Sequence, residues 1–291
     1  FFFVLVLLNM EIARRFDAWL DSFILAHPLE NKDPTVLLNW GTPWIPFGTV
    51  ILYLFLVFTL PKVLGKTRFS LKWIVALWNL GLSAFSFCVF WGVLLPYIDI
   101  YRNYGFYTGF CGDAQLFFGT PSRMLYWIYV FDLSKFAELF DTLFLILRGK
   151  RVAFLHWFHH ATVLLYCWFA SYYHTVIGFN FTIVNAFVHT FMYFYYFLSE
   201  VGLKPPEKVA LMITIIQISQ MLIGIVIVGY SAFLWFSTGI PCVTDEPTIV
   251  LVSGVLMYGT YLFLFLQFFF RRYFGKKPAP RPTASKTKKK Q

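Results

Sequence analysis

The sequence predicts an all-α protein that crosses a membrane several times. Hydrophobic residues occupy 59% and charged residues only 13% of the 291 positions, whereas a soluble domain carries about 25% charged residues. Apolar runs of about 20 residues, the length that spans a bilayer as a helix, recur along the chain. Lys and Arg gather in the short segments between these runs, as in the loops of membrane proteins. We therefore predict one polytopic membrane domain.

Seven of the apolar runs are long enough to be membrane spans. Their approximate bounds are 45–62, 72–96, 122–147, 153–172, 177–199, 208–236 and 248–270. The spans belong to a seven-span domain over residues 45–275. Before it lies a lumenal or interfacial arm, residues 1–44, which is interrupted by prolines. After it, the Lys-, Arg- and Pro-rich residues 276–291 form a tail that we expect to be disordered.

The charges of the loops predict the orientation. The tail and the loops after spans 1, 3 and 5 are rich in basic residues, such as Arg148, Lys150 and Arg151 after span 3. The positive-inside rule places these segments and the C-terminus in the cytosol and the N-terminus in the lumen. Cys111 and Cys242 then share the lumenal side, where an oxidising compartment permits a disulfide between them.

Two short motifs bear on the compartment. Asn180-Phe181-Thr182 is a glycosylation sequon on the predicted lumenal side, but it lies so close to the membrane that we expect it to be unused. Lys288 and Lys289, near the end of the chain, match a dilysine retrieval signal, with a charged anchor on anionic lipid as the alternative. We expect a multi-pass protein of the endoplasmic reticulum membrane.

The net charge of +10 does not indicate a nucleic-acid partner. The basic residues lie at the ends of apolar runs and in the tail, where they define membrane topology. We therefore expect the lipid bilayer as a partner and no nucleic acid. A basic cytosolic surface also suits an anionic substrate such as a nucleotide thioester.

Polar and ionisable residues lie inside four of the spans, where their cost makes them functional candidates. Most members of each set are three or four residues apart, so they share one helix face. In the predicted topology all four sets lie in the cytosolic half of the bilayer, which predicts a single polar pocket. The sets are Lys135, Glu138, Asp141 and Thr142; His156, His159 and His160; Asn185, His189, Met192, Tyr193, Tyr195 and Tyr196; and Thr214, Gln217 and Gln220.

Taken singly, three of the sets also have structural interpretations. Tyr193, Tyr195 and Tyr196 fit an interfacial aromatic belt. Gln217 and Gln220 fit hydrogen bonding between helices, and Lys135 with Glu138 fits a buried ion pair. The histidine cluster fits packing alone much less well, because three histidines share an arc of one helix.

Together, the sets resemble the signature motifs of the elongase family of very-long-chain fatty acids, over about residues 45–275. The resemblance implies a 3-oxoacyl-CoA synthase, an acyltransferase that condenses acyl-CoA with malonyl-CoA and releases carbon dioxide and CoA without a metal or cofactor. It also implies a six-helix barrel of two inverted three-helix units, built from spans 2–7, around a tunnel for the acyl chain. The motif His156-Trp157-Phe158-His159-His160 is similar to the branch that uses saturated and monounsaturated chains.

The resemblance and the side-chain chemistry together assign roles. His159 is the predicted nucleophile, forming an acyl-imidazole, while His189 orients or polarises the reacting carbonyl. Asn185, His156 and Gln217 are predicted to donate hydrogen bonds to developing negative charge. His160 is predicted to fix tautomers and helix positions together with the acidic pair of span 3. The predicted substrate-binding residues are Lys135, Glu138, Asp141, Arg148, Lys150, Arg151, Tyr193, Tyr195, Tyr196, Thr214, Gln217, Gln220 and Arg271, of which the loop and tail basic residues bind CoA phosphates.

Two other functional classes fit parts of the pattern. A membrane desaturase or hydroxylase also uses intramembrane histidines, around a metal centre, but it carries further histidine boxes, and this chain has only six histidines. A seven-span receptor or transporter fits the number of spans, but the sequence lacks the paired broken helices of transporters. The elongase resemblance implies reductases and a dehydratase as partners, and a homodimer is one assembly that the sequence leaves open.

Overall fold

The computed structural model describes residues 10–26, 43–112, 123–173, 175–239 and 247–275. These residues form α-helices joined by short turns. Each predicted span coincides with one helix, and most ends agree within about three residues, the usual scatter of boundaries. The helices are α1 (Met10–Ala26), α2 (Trp44–Leu64), α3 (Lys72–Cys111), α4 (Arg123–Leu147), α5 (Phe154–Tyr172), α6 (Gly178–Val201), α7 (Glu207–Thr238) and α8 (Pro247–Tyr273).

Five of the described helices, α2, α3, α6, α7 and α8, are long and apolar enough to cross a bilayer. The chain is therefore a polytopic, all-α membrane protein. The other two candidate helices, α4 and α5, contain Lys135, Glu138 and the histidine cluster. These polar residues lower the apolarity of α4 and α5, and most of them are buried between helices.

Helix α3 departs most from its predicted span. The span was predicted to end near residue 96, but the helix continues through Pro96 to Cys111. A non-helical residue, Gly105, interrupts it with φ = +80°, a conformation that favours glycine. Polar residues such as Asp99 and Arg102 follow Pro96, so hydropathy alone does not reveal that the helix extends beyond the apolar run.

Helix α1 is a second difference, since residues 1–44 were predicted only as a lumenal or interfacial arm interrupted by prolines, and no helix was predicted there. Leu20 of α1 is buried in a hydrophobic cluster with side chains of α3, α4 and α6. At the start of α4, Arg123 pairs with Asp17 at 2.5 Å and with Asp21 at 3.1 Å. Residues 10–26 are therefore attached to the helical domain by both apolar and ionic contacts.

The helices pack against one another in pairs. Helix α3 packs against α6 most extensively, and further contacts join α6 to α7, α7 to α8, α8 to α5, α5 to α4 and α4 to α3. Helix α2 packs against α4 and α5. A Cβ atom at Gly92 would overlap the indole of Trp127, so glycine permits the close approach of α3 and α4.

The end of α3 carries a cross-link. Cys111 is disulfide-bonded, whereas Cys88 and Cys167 are free. The predicted partner of Cys111, Cys242, lies outside the described residues.

Asn180, the residue of the glycosylation sequon, is buried at the start of α6. Its amide nitrogen donates to the carbonyl oxygen of Gly109 at 2.9 Å. Its amide oxygen accepts from the hydroxyls of Tyr97 at 2.9 Å and Tyr101 at 2.8 Å. Asn180 therefore joins α6 to the extension of α3, and a glycan on this nitrogen would break that contact.

Candidate active site

Two cavities lie between the helices and meet at His159. The wide cavity has a volume of about 810 Å³, and the narrow cavity has a volume of about 150 Å³. Both are lined by His159, Asn185, Gln220 and Met221. These four residues therefore form the boundary between the cavities, and the His159 ring borders two spaces of different size.

The wide cavity is lined by helices α3 to α8 and collects most of the predicted site residues, although they are far apart in sequence. It opens toward the loop between α4 and α5, where Lys150 and Ala153 contribute to its lining. The predicted residues in its lining are Asp141, Arg148, Lys150, His156, His159, His160, Asn185, His189, Tyr193, Tyr196, Gln217, Gln220 and Arg271.

Five predicted site residues lie outside that lining. Lys135 and Glu138 are buried behind it, next to Asn185 and His189. Arg151 is exposed in the loop after α4, and Tyr195 is half-buried beside Tyr196. Thr214 is buried, and its hydroxyl donates to the carbonyl oxygen of Ala210 in its own helix at 2.9 Å.

The histidine cluster occupies the first two turns of α5. Helix α5 begins at Phe154. Its three histidines are three and four residues apart, so they share one face of the helix. The ring centroids of His156 and His160 are 4.6 Å apart, and those of His159 and His160 are 5.5 Å apart. The Nδ1 atom of His159 and the Nε2 atom of His156 are buried and have no hydrogen-bond partner among the described residues. Both rings therefore carry nitrogen atoms that are not committed to structural hydrogen bonds.

A chain of contacts fixes the orientation of His189. The Nζ atom of Lys135 donates to Oδ1 of Asn185 at 3.3 Å, and lysine has no acceptor. The amide nitrogen of Asn185 therefore faces the other way, where it donates to Nε2 of His189 at 3.2 Å. Since Nε2 accepts this bond, the proton of a neutral His189 ring is on Nδ1, which lies 3.8 Å from Oε1 of Glu138. Glu138 in turn accepts a hydrogen bond from Lys135 at 2.6 Å, so the four side chains form one connected network.

Asp141 connects three helices at the side of the wide cavity. Its carboxylate accepts one hydrogen bond from the indole of Trp78 and one from the hydroxyl of Tyr193, both at 2.7 Å. The Tyr193 ring also lies edge-on to His189, with centroids 5.3 Å apart. Asp141 therefore positions α6 through Tyr193, and the sequence did not identify Trp78 as its partner.

Tyr261 of α8 is a site residue that sequence reasoning missed. Its ring lies 4.7 Å from that of His159. Its hydroxyl is 2.6 Å from the hydroxyl of Thr162 and donates to the backbone carbonyl oxygen of His159 at 3.3 Å. The position of Tyr261 in the middle of an apolar run could have marked it as a candidate. The run does not indicate which helix its side chain contacts.

The wide cavity contains an ion pair between Arg148 and Glu200. The guanidinium of Arg148 binds the carboxylate of Glu200 through two hydrogen bonds of 2.6 and 2.8 Å. Both residues line the cavity, together with Lys150, Arg271 and Arg272. Glu200 and Arg272 were not predicted as site residues. The partner of Glu200, Arg148, is distant in the sequence.

The narrow cavity is mainly apolar. It follows α5 from His159 toward the end of the helix, past Val163 and Cys167 to Ser171. Side chains such as Phe179 and Met257 line it from the facing helices. Its polar lining residues include Asn185 and Gln220 beside His159 and Asp132 and Ser171 at the end of α5, and among the described residues its lining contains no Lys or Arg.

Within the described part of the chain, no group of three or more His, Cys, Asp or Glu side chains is arranged to hold a metal ion. The fold and the site thus define a class: a polytopic α-helical membrane protein with a buried histidine site between a wide polar cavity and a narrow apolar one.

The comparison with known families identifies the class further. Residues 39–281 match the model of the ELO: GNS1/SUR4 family, and the chain belongs to this family of fatty acid elongases. Membership confirms the predicted family and makes the chain an enzyme of fatty acid elongation.

The chain is similar to elongases of protists and animals. It is 38% identical to very long chain fatty acid elongase 4 of Trypanosoma cruzi, with 89% of this chain and 90% of the relative covered. It is 32% identical to fatty acid elongase 3 of Trypanosoma brucei brucei, with 95% of each covered. It is also 42% identical to very long chain fatty acid elongase 6 of Gallus gallus, with 72% and 77% covered.

Proposed function

We propose that the chain is the condensing enzyme of fatty acid elongation, a 3-oxoacyl-CoA synthase. It joins an acyl-CoA to malonyl-CoA and releases carbon dioxide, CoA and a 3-oxoacyl-CoA that is two carbons longer. The observation that carries this proposal is the position of His159 between the wide and narrow cavities. An acyl-CoA whose chain occupies the narrow cavity and whose CoA occupies the wide one has its thioester at His159.

In the first half-reaction, a ring nitrogen of His159 attacks the thioester carbonyl carbon. The new bond joins carbon to nitrogen, the carbon–sulfur bond breaks, and CoA leaves as the thiol after taking up the proton of the imidazole. The resulting acyl-imidazole divides one difficult step into two easier ones. Tyr261 packs against this ring and bonds the His159 backbone, so it acts as a positioning residue.

In the second half-reaction, malonyl-CoA loses its carboxylate as carbon dioxide, and the carbon–carbon electron pair becomes an enolate. The enolate carbon attacks the acyl-imidazole carbonyl, a carbon–carbon bond forms, and the carbon–nitrogen bond to His159 breaks. The imidazole takes up one proton from water and is neutral again. Negative charge develops on carbonyl oxygens in both steps, and oriented donors stabilise it. Asn185 lines both cavities, and its amide is held between Lys135 and the acceptor Nε2 of His189, so this donor is oriented before substrate binds. His189, whose Nδ1 faces Glu138, supports the orientation of that amide.

The rest of the wide cavity fits the CoA moieties. Arg148, Lys150 and Arg271 line it, and basic side chains bind phosphates through charge-assisted hydrogen bonds. The same cavity receives acyl-CoA first and malonyl-CoA second, because CoA leaves between the two half-reactions. His156, His160 and Gln217 also line it, as further donors and as support for the His159 ring.

We also propose seven spans, with α3 to α8 as a six-helix barrel and α2 outside it. The pairwise contacts support this arrangement, since they run from α3 through α6, α7, α8, α5 and α4 back to α3. A membrane position for α4 and α5 is supported by their lengths of 25 and 19 residues, which suffice to cross a bilayer.

The disulfide and the basic loops support an orientation in the membrane. The disulfide-bonded Cys111 ends α3, and disulfides persist in oxidising compartments. The basic loop after α4 is at the other end of the bundle. We propose that the Cys111 end and the N-terminus are lumenal, that the C-terminus is cytosolic, and that the membrane is that of the endoplasmic reticulum.

Reductases and a dehydratase are the proposed partners, since a 3-oxoacyl product needs reduction and dehydration to become a fatty acyl chain.

A test of the covalent mechanism uses purified protein in nanodiscs. Incubation with dodecanoyl-CoA alone, followed by an acid quench and peptide mass spectrometry, should give an acyl mass on His159. Malonyl-CoA added before the quench should remove it. The His159→Gln variant should lose the adduct and at least about a thousandfold of the condensation rate, whereas Ser237→Ala, an exposed change, should keep both. Full condensation by His159→Gln would disprove the mechanism.

A further inference from the structure

The inner end of the wide cavity, next to His159, contains several carboxamide side chains. Asn185 and Gln220 line both cavities and therefore lie where the two meet. Gln217, which precedes Gln220 by about one turn of α7, lines the wide cavity as well. A carboxamide has two N–H donors and carries no net charge. The inner end is therefore rich in neutral hydrogen-bond donors.

The arginines of the wide cavity lie at its outer end. Arg271 follows Tyr261, whose ring packs against the proposed nucleophile, by 10 residues of α8, a rise of about 15 Å. Arg148 binds Glu200, which follows Asn185 by 15 residues of α6, a rise of about 22 Å. In the proposed function, CoA phosphates bind at this outer end, and the pantetheine arm carries the thioester inward to the carboxamides.

A buried lysine behind the inner end is already neutralised. Lys135 is only 2% exposed, and its Nζ atom donates to Glu138 at 2.6 Å and to Asn185 at 3.3 Å. Its charge is therefore balanced by a carboxylate in direct contact. Within the described part of the chain, an anion that reaches the inner end meets amide donors and no unpaired Lys or Arg in the lining beside His159.

Malonyl-CoA brings such an anion to the inner end. Its carboxylate is bonded to the carbon that attacks the acyl-imidazole, so it lies close to His159 when that carbon does. Asn185 is committed to the buried network, since its amide nitrogen donates to His189. Gln217 donates only to the sulfur of Met192, at 3.1 Å, and a thioether is a weak acceptor. This bond is readily exchanged for one to a carboxylate.

We propose that Gln217 and Gln220 bind the carboxylate of malonyl-CoA and thereby select the second substrate. The inference rests on the proposed function, since it takes the wide cavity as the CoA site. It assigns to the two glutamines a ligand group that the first half-reaction does not contain. Their effect should therefore be confined to the second half-reaction.

Neutral donors suit a carboxylate that has to leave. As carbon dioxide forms, negative charge moves from the carboxylate to the enolate. An arginine paired with the carboxylate would stabilise the starting state more than the transition state, and such binding does not accelerate a step. The amides of Gln217 and Gln220 orient the carboxylate without a full opposite charge, so they stabilise the starting state less.

A binding experiment isolates the carboxylate. Amide analogues of malonyl-CoA and acetyl-CoA, in which NH replaces the thioester sulfur, differ by this group alone and do not acylate His159. In nanodiscs, calorimetry should show that the wild type binds the malonyl analogue at least about tenfold more tightly, the scale of one hydrogen bond to a charged group. Gln217→Leu/Gln220→Leu, a change of similar volume, should bind the two analogues within about twofold of each other. Gln267→Leu removes an exposed carboxamide of the same cavity and should keep the preference.

The two half-reactions separate this proposal from the proposed function. Gln217→Leu/Gln220→Leu should form the dodecanoyl adduct on His159 within about threefold of the wild-type rate, whereas removal of the adduct by malonyl-CoA should slow at least about tenfold. Adduct formation also shows that the variant is folded. The single change Gln217→Leu, at a half-buried position, should show the same asymmetry to a smaller extent.

Three results would overturn one proposal or the other. Equal slowing of both half-reactions, in the single and the double variant, would make the glutamines general donors or structural residues and overturn the carboxylate site. A wild type that binds the two analogues equally would overturn it as well. A wild type that forms no adduct on His159 would instead contradict the proposed function.

Discussion

The wide and narrow cavities border the same histidine but differ in almost every other respect. The wide cavity has about 810 Å³ and is lined by basic, acidic, amide and phenolic side chains. The narrow one has about 150 Å³ and is lined mainly by apolar groups. A molecule with a large charged head and an alkyl tail fits this pair in only one orientation. In the proposed function this difference orients the substrate. The charged CoA part occupies the wide cavity, the alkyl chain occupies the narrow one, and the thioester between them lies at His159.

The two cavities also differ in how their polar groups are held. Around the wide cavity, Asn185 is oriented by Lys135, and Asp141 is held by Trp78 and Tyr193. This support orients the donor amide of Asn185 before substrate binds, as electrostatic stabilisation requires, and through Asp141 it holds the Tyr193 ring beside His189. In the proposed function the apolar walls of the narrow cavity contact methylene groups, which have no directional bonds to satisfy.

Removing the buried ion pair behind the wide cavity should cause the largest loss of activity. In Lys135→Met/Glu138→Leu, both charges disappear together, so no lone buried charge remains and the free energy of unfolding should change little. Without Lys135, the Asn185 amide is free to flip and His189 loses its fixed tautomer. We expect kcat to fall about a hundredfold, the scale of one misplaced oxyanion donor.

Two readouts distinguish positioning from general damage in this variant. The nitrogen chemical shifts of His189 should change from the Nδ1-protonated pattern to a mixture of tautomers. The thermal midpoint in nanodiscs should stay close to that of the wild type. Activity within about twofold of the wild type, or an unchanged tautomer, would show that the buried pair is merely structural.

A smaller effect should come from the ion pair in the wide cavity. If Arg148 binds CoA phosphates in exchange for Glu200, Arg148→Gln should raise the KM for malonyl-CoA about tenfold, the scale of one charge-assisted hydrogen bond, with kcat little changed. Glu200→Gln should not raise it, because Arg148 keeps its charge. Lys62→Gln, an exposed change in α2, is the control for net charge. Equal increases in Arg148→Gln and Glu200→Gln would mean that the pair only joins α4 to α6.

Much of the fold could be predicted because apolar run length has a direct physical meaning in a bilayer. The span predicted at 153–172 became helix Phe154–Tyr172, and the span predicted at 208–236 became Glu207–Thr238. The extension of α3 beyond Pro96 was missed, since the helix leaves the apolar run there. Helix α1 was missed because its stability depends on Arg123 and on the cluster around Leu20, contacts between distant parts of the chain.

The site divides in a similar way. Helical periodicity placed the three histidines on one face of α5 and predicted that four helices contribute to one pocket. It could not identify Trp78, Tyr261 or Glu200, whose importance comes from partners in other helices. Asp132 was overlooked as well, since a single acid in an apolar run carries no information on the cavity that it faces.

The most direct measurement of the division between the cavities is photocrosslinking. Dodecanoyl-CoA that carries a diazirine at its terminal carbon is bound to the enzyme in nanodiscs and irradiated, and the labelled peptides are mapped by mass spectrometry. We expect labels on side chains of the narrow cavity, such as Phe179 and Met257. Labels on Leu264, Phe265 or Phe268 would place the alkyl chain in the wide cavity and contradict the proposed division between the two cavities.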